Sequence, residues 1–229
     1  MKKNILVIAA HPDDEVLGCG ATIYKHAKNG DNVFCLILGA GVESRYEENS
    51  NTKKIQKNKK NLYNETLKAN KILKVKKVFF ELVSDNRFDS IDLLDLIKII
   101  EKYIKNLKPN IIYTHSHKDL NIDHRLTFEA VLTASRPKTN EHIDLYSFEI
   151  PSSTDWSFSY KNSFNPNFFS NIEKEFIFKI NALKAYKSEM RKFPHSRSLE
   201  NIEAQSKFRG SMIGCKKAEA FEVIKIYSQ

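Results

Sequence analysis

Ile5-Leu6-Val7-Ile8-Ala9-Ala10-His11-Pro12-Asp13-Asp14-Glu15 is the stretch from which the rest of the chain can be ordered. An unbroken apolar, β-branched run reads as a strand buried on both faces of a parallel sheet. It breaks off into a proline turn that carries one imidazole and three carboxyl groups. Such groups at the end of a buried strand point to chemistry rather than to packing.

Working outward, the alternation of strand-like and helix-like patterns recurs. Gly18-Cys19-Gly20 leads into a helix that stops at Asn29-Gly30, Asn32 to Leu38 is a second strand, and a polar loop from Val42 to Thr52 carries Arg45 and Tyr46. A helix from Lys53 to Leu73 follows, then a third strand from Val78 to Leu82 and a polar loop holding Asp85. The next helix, capped by Asp89 or Ser90, buries Leu93, Leu96, Ile97, Ile100, Ile104 and Leu107 on one face and closes at Pro109. Asn110 to Thr114 is a fourth strand that runs into His115-Ser116-His117-Lys118-Asp119-Leu120-Asn121-Ile122-Asp123-His124-Arg125, a helix spans Ile122 to Ser135, and Asp144 to Phe148 is a fifth strand. Beyond Pro151 the pattern loosens: loops or short edge strands to Phe169, a helix over Glu173 to Met190, a break at Arg191 to His195, a helix from Ser198 to Gly210, and a last strand within Ala218 to Ile226.

This order predicts an α/β protein: a Rossmann-like, three-layer fold with a mainly parallel sheet and a less regular C-terminal extension, in one domain spanning residues 1–229. Ligands of such sheets bind beyond the carboxyl ends of the strands, so the acidic turn, the Arg45 loop, the Asp85 loop and the histidine segment are expected to form one pocket. A dinucleotide site is excluded, because the first turn lacks G-x-G-x-x-G and puts acids where a pyrophosphate would be repelled.

Composition narrows the class further. The 41% hydrophobic and 28% charged content of the 229 residues suits one globular core. No apolar run approaches the roughly 20 residues of a membrane-spanning helix. Met1-Lys2-Lys3 passes directly into a strand pattern too short for a secretory leader, so a cytoplasmic protein is expected. Cys19, Cys35 and Cys215 are odd in number and in no zinc-binding spacing, and are expected to be small buried residues. The net charge of +9 is local: from Lys53 to Lys77 there are ten lysines against the single acid Glu65. Without interleaved arginine that face is expected to be solvated, and no nucleic-acid partner is expected; its functional alternative is a field that steers an anionic substrate.

A hydrolytic metal site takes three nitrogen or oxygen ligands and keeps one position open. His11 and one of the paired aspartates can reach one ion from a single turn, His124 can supply the third ligand from across the pocket, and the other aspartate is free to act as a base. The start of a helix beside His124 disfavours imidazolium and so helps keep its ring neutral. Either motif alone would be an ordinary capped turn or helix start. Their placement on one sheet edge makes them a site.

These motifs resemble the LmbE-like or PIG-L zinc-dependent de-N-acetylases over most of the chain. The likeness rests on Ala10-His11-Pro12-Asp13-Asp14-Glu15 with Gly18-Cys19-Gly20, and on Asp123-His124-Arg125 in the segment opening with Thr114-His115. Looser support comes from Asp85-Asn86-Arg87, Lys187-Ser188-Glu189-Met190 and Arg209-Gly210 through Ala218-Glu219-Ala220-Phe221. The resemblance implies one Zn2+ or another divalent ion on His11, Asp14 and His124, with Asp13 as general base. It also implies substrate contacts from Arg45 and Asp85. Many members have a histidine three positions before the last ligand, where this chain has Asn121; an amide can still donate to an oxyanion. His115, His117 and His195 are the candidates for a compensating donor, with His195 placed among the catalytic residues and His115 at the substrate. The implied reaction removes the N-acetyl group of an acetamido sugar, with a mild preference for an anionic one. The competing reading is a non-catalytic sugar or nucleic-acid binder. A homo-oligomer is compatible with either.

Overall fold

The structure is a computed structural model that describes residues 2–42, 52–137, 142–158 and 163–227. Five parallel strands, β1 (Asn4–Ala9), β2 (Asn32–Gly39), β3 (Lys77–Val83), β4 (Ile111–His115) and β5 (Asp144–Phe148), are joined by two antiparallel ones, β6 (Phe168–Asn171) and β7 (Ala218–Lys225). Their order is β3-β2-β1-β4-β5-β7-β6. The expected Rossmann-like α/β architecture is present. The last strand sits beside β5, and the short β6 pairs with it on the outside. Nothing in the period of Phe168 to Asn171 marks that strand, because four residues paired on one side carry little pattern.

Alternation along the strands builds two cores. Ile5 and Val7 of β1 and Val33 and Cys35 of β2 face one side, where α1 (Asp14–Lys28), α2 (Thr52–Ile72) and α5 (Phe176–Ala185) cover them. Leu6, Ile8, Phe34, Leu36 and Leu38 face the other side, under α3 (Leu93–Leu107) and α4 (Ile122–Ala134). A further helix, α6 (Leu199–Ser211), contributes Ile202 to the first core. Two elements and one burial differ from expectation. A 3-10 turn over Phe88–Ser90 precedes α3, whose cap is Asp92 rather than Asp89 or Ser90. The Glu173 to Met190 helix is confined to α5, ending where Tyr186 leaves helical geometry. Cys19 and Cys35 are buried as expected, but Cys215 is half-exposed.

Helix α1 is broken at Cys19, whose φ of −144° interrupts the hydrogen-bond ladder. A buried ion pair repairs the break. Glu219 on β7 accepts from Ala21 N at 3.0 Å and Thr22 N at 2.7 Å, while Lys179 Nζ donates to Leu17 O and to Glu219 Oε1, each at 2.7 Å. Gly18 lies against the Phe148 ring so closely that a Cβ would come within 2.3 Å of it, which explains the glycine beside the kink. Among the described residues no helix is long and apolar enough to cross a membrane.

Candidate metal centre

β1 and β4 are neighbours, and the order β2-β1-β4 places the point of topological reversal between them. The turn after β1 and the segment after β4 therefore face each other. In the first turn Asp13 adopts a left-handed backbone (φ 92°), and its carbonyl accepts from Val16 N and Leu17 N as α1 begins. The acids hold the turn themselves: Asp14 Oδ2 accepts from His11 N at 2.9 Å, and Glu15 Oε2 accepts from Asp13 N at 3.1 Å. Glu15 Oε1 in turn accepts from Asn70 Nδ2 at 2.8 Å and from the Tyr186 hydroxyl at 2.5 Å, so this carboxyl group fixes the turn. Burial pushes its pKa up to about 7, against those donors.

Across the edge, Asn121 caps α4 by accepting from Asp123 N at 2.8 Å, which sets His124 in the first helical turn. Arg125 Nη1 donates to Asp119 O and Leu120 O and stiffens the loop before it. Three atoms then converge: His11 Nδ1 to His124 Nε2 is 3.3 Å, His124 Nε2 to Asp14 Oδ2 is 3.2 Å, and Asp14 Oδ2 to His11 Nδ1 is 3.4 Å. Tetrahedral ligands at about 2.0–2.1 Å from zinc stand about 3.3–3.4 Å apart. The donor set fits a divalent ion.

The remaining nitrogen of each imidazole meets a carboxylate. His11 Nε2 lies 3.0 Å from Asp123 Oδ2 and 3.3 Å from Asp85 Oδ1, and His124 Nδ1 lies 3.1 Å from Asp119 Oδ2. Such partners select the tautomer and orient a ligating ring. Asp119 is itself held by the hydroxyls of Ser153 and Thr154, and Asp123 Oδ1 accepts from Phe88 N.

So much carboxylate charge binds protons when no cation is there. Burial alone would lower the two imidazoles, but Asp123 and Asp14 outweigh it at His11, which rises to about 10, and Asp14 and Asp119 do so at His124, which rises to about 9. The helix start expected to keep the His124 ring neutral is overridden by these carboxylates. Burial likewise opposes ionisation of Asp14 and Asp119, yet His124 and its neighbours hold Asp14 well below the carboxylate range and Asp119 at about 2. Asp13 goes the other way: burial lifts it well above its usual value, with Arg197 opposing and Asp14 and Glu189 adding to the rise.

Of the residues singled out from sequence, His11, Asp13, Asp14, Asp85, Asn121 and His124 come together. Asn121 borders a small polar cavity of about 80 Å³ with His11, Asp13, Asp85, Asn86 and Arg197, and its Nδ2 donates one hydrogen bond to Asn86 Oδ1. Arg45 lies outside the described residues. Two placements correct the sequence reading. His115 is not at a substrate surface: it is fully buried, stacks on His124 at 3.9 Å, and its Nε2 accepts from Ala10 N, with burial pushing its pKa down to about 3. His195 does not border the cavity; its Nδ1 accepts from Arg197 N and its ring packs edge-on to Trp156. His117 sits against Phe128 instead.

Sequence reasoning assigned no role to Asp119 or Glu189 and did not single out Arg197. Arg197 Nη1 lies 2.9 Å from Asp13 Oδ2 and 3.8 Å from Glu189 Oε2. The lysines of α2 are not among the described residues bordering this cavity, whose titratable and charged residues are His11, Asp13, Asp85, Glu189 and Arg197.

Comparison with known proteins places this geometry. The family described as PIG-L, GlcNAc-PI de-N-acetylase, matches residues 6–135. A relative from Escherichia coli K12, YaiS, described as an uncharacterized deacetylase, is 31% identical over 193 residues, covering 82% of this chain and 92% of its own length. Among solved structures, the N,N'-diacetylchitobiose deacetylase of Pyrococcus horikoshii superposes with a TM-score of 0.77 at 19% identity, covering 97% of this chain and 84% of its own. GalB of Pseudomonas putida KT2440, a 4-carboxy-2-hydroxymuconate hydratase, superposes with a TM-score of 0.76 at 20% identity, covering 100% and 98%. Those two likenesses are of fold alone, and the second shows that the fold does not dictate the reaction. The sequence match decides: the chain belongs to the PIG-L family and is a hydrolytic de-N-acetylase.

Proposed function

We propose that the substrate is an acetamido sugar, that His11, Asp14 and His124 hold one divalent cation, with zinc the first choice, and that Asp13 is the general base. The observation that carries this reading is the near-equilateral triangle of three ligand atoms, with the adjacent Asp13 carboxylate paired to Arg197 instead of to an imidazole. A cation held there supplies Lewis acidity toward a carbonyl oxygen and lowers the pKa of a water.

The chain's own groups account for the proton movements. Asp13 takes a proton as water oxygen adds to the acetyl carbon, then delivers it to the nitrogen as the carbon–nitrogen bond breaks, leaving acetate and a free amine. Asn121 has a second amide hydrogen beyond the one given to Asn86, and it is the donor proposed for the developing oxyanion. Asp85, with Asn86 beside it, is proposed for the sugar hydroxyls. The cavity's polar lining, with Asp85, Asn86 and Asn121 on one side, suits a polyhydroxyl ring. A triangle of three ligand atoms with a carboxylate of the same turn beside it argues against a purely binding role. An assay for released acetate and free amine across acetamido-sugar glycosides and nucleotide sugars, with and without a chelator, tests the reading. Chelator-sensitive release supports it, and release untouched by metal removal contradicts it.

A further inference from the structure

We infer that Arg197 is a positioning residue for the base, a role that rests on the reading of Asp13 given above. The arginine arrives from the segment between α5 and α6, 184 positions away in the chain. Its guanidinium bridges Ser152 and Asp13: Nε donates to Ser152 Oγ at 2.8 Å and Nη1 donates to Asp13 Oδ2 at 2.9 Å, with Glu189 Oε2 3.8 Å from Nη1. Its backbone is held as well, since Arg197 N donates to His195 Nδ1 at 3.0 Å and Ser198 caps α6 immediately after it. A planar fork fixed at both ends leaves little freedom to the carboxylate it grips.

The geometry divides the labour of one carboxylate. Oδ2 of Asp13 is committed to Arg197, so Oδ1 is the oxygen left to exchange a proton. Without the arginine the side chain could turn toward the imidazoles that Asp14 already serves. The same strut joins both halves of the site. Ser152, Ser153 and Thr154 are consecutive, and while Ser152 anchors Arg197, Ser153 and Thr154 bond the Asp119 carboxylate that faces His124. One turn after β5 thus sets the base through Arg197 and a ligand through Asp119. The His195 contact belongs to this strut, which gives that histidine a place without a chemical step.

Steady-state kinetics of the metal-loaded full chain test the inference in Arg197→Ala, Arg197→Lys and Asp13→Asn. Misplacing a reacting group by about 1 Å can cost about 10²-fold. The expected result is a fall in kcat of that order for Arg197→Ala, with KM within about 3-fold of wild type, unchanged metal stoichiometry, partial recovery in Arg197→Lys, and restoration toward wild type by added guanidinium ion. Wild-type kcat in Arg197→Ala, a defect confined to KM, or a loss that neither lysine nor guanidinium relieves would overturn it. Should Arg197→Ala not fold, Ser152→Ala is read in its place: a several-fold fall in kcat alone supports the strut, and unchanged kcat overturns it. Asp13→Asn separates the two claims, because activity there contradicts the base assignment, whereas an inactive Asp13→Asn beside a fully active Arg197→Ala contradicts only the role of Arg197.

Discussion

Asp13 and Asp14 are adjacent in sequence yet turn to opposite partners: Asp14 Oδ2 lies 3.2 Å from His124 Nε2, and Asp13 Oδ2 lies 2.9 Å from Arg197 Nη1. The left-handed backbone at Asp13 produces the split, since it swings one carboxylate toward α6 while the next stays over the imidazoles. Their ionisation follows the partners, with Asp14 held low by imidazoles and Asp13 pushed up by burial. Two like residues acquire two roles from their surroundings.

Metal uptake is expected to strengthen with pH. His11 and His124 stand at about 10 and about 9 without a cation, so at pH 7 both hold protons that a metal must expel. Apparent affinity should rise toward about 10²-fold per pH unit between pH 7 and 9, with about two protons released per ion. Calorimetry in buffers of different ionisation enthalpy measures that number; pH-independent affinity would contradict it. The sign of the stability effect is opposite in the metal-free fold. Both imidazoles are raised above 6.5, so the stability they contribute is present at pH 6 and is lost as pH climbs through about 9 to 10.

The carboxylates behind the ligands are expected to tune the site without forming it. Asp119→Asn and Asp123→Asn should each weaken metal binding by about 10–100-fold while leaving one site per chain. Competition with a chromogenic chelator reads the change. His11→Ala and His124→Ala, by contrast, should bring stoichiometric binding to an end at micromolar metal, and retention of full affinity in either would remove that residue from the ligand set.

How much of this was legible in the chain differs by residue. His11, Asp13, Asp14 and His124 could be read because each is fixed by a local motif at the end of a strand whose apolar run is unmistakable. The five parallel strands could be read for the same reason. Arg197 and Asp119 were not, because their roles arise only when distant segments meet: Arg197 sits in a Pro-, His- and Ser-rich break with no periodic signal, and Asp119 gains its meaning from the hydroxyls of Ser153 and Thr154. His195 and His115 drew notice as histidines, but an imidazole that accepts from a backbone N–H looks the same in sequence as one facing a substrate.

The repair of α1 predicts a stability effect remote from the chemistry. Glu219→Ala leaves Lys179 without its carboxylate and Ala21 N and Thr22 N without an acceptor at the Cys19 kink. Breaking a buried pair from one side costs about 3–5 kcal/mol. Denaturant unfolding should show a loss of that size; a change below about 1 kcal/mol would mean that water replaces the carboxylate there.

Asp13→Asn tests the central claim most directly, measured for acetate release and bound metal in the same preparation. The expected result is metal bound at the wild-type ratio with acetate release reduced by about 10²–10⁴-fold, the share of a general base. Wild-type release from a metal-loaded Asp13→Asn protein would contradict the assignment of the base, and loss of the metal together with activity would mean that Asp13, not only Asp14, serves as a ligand.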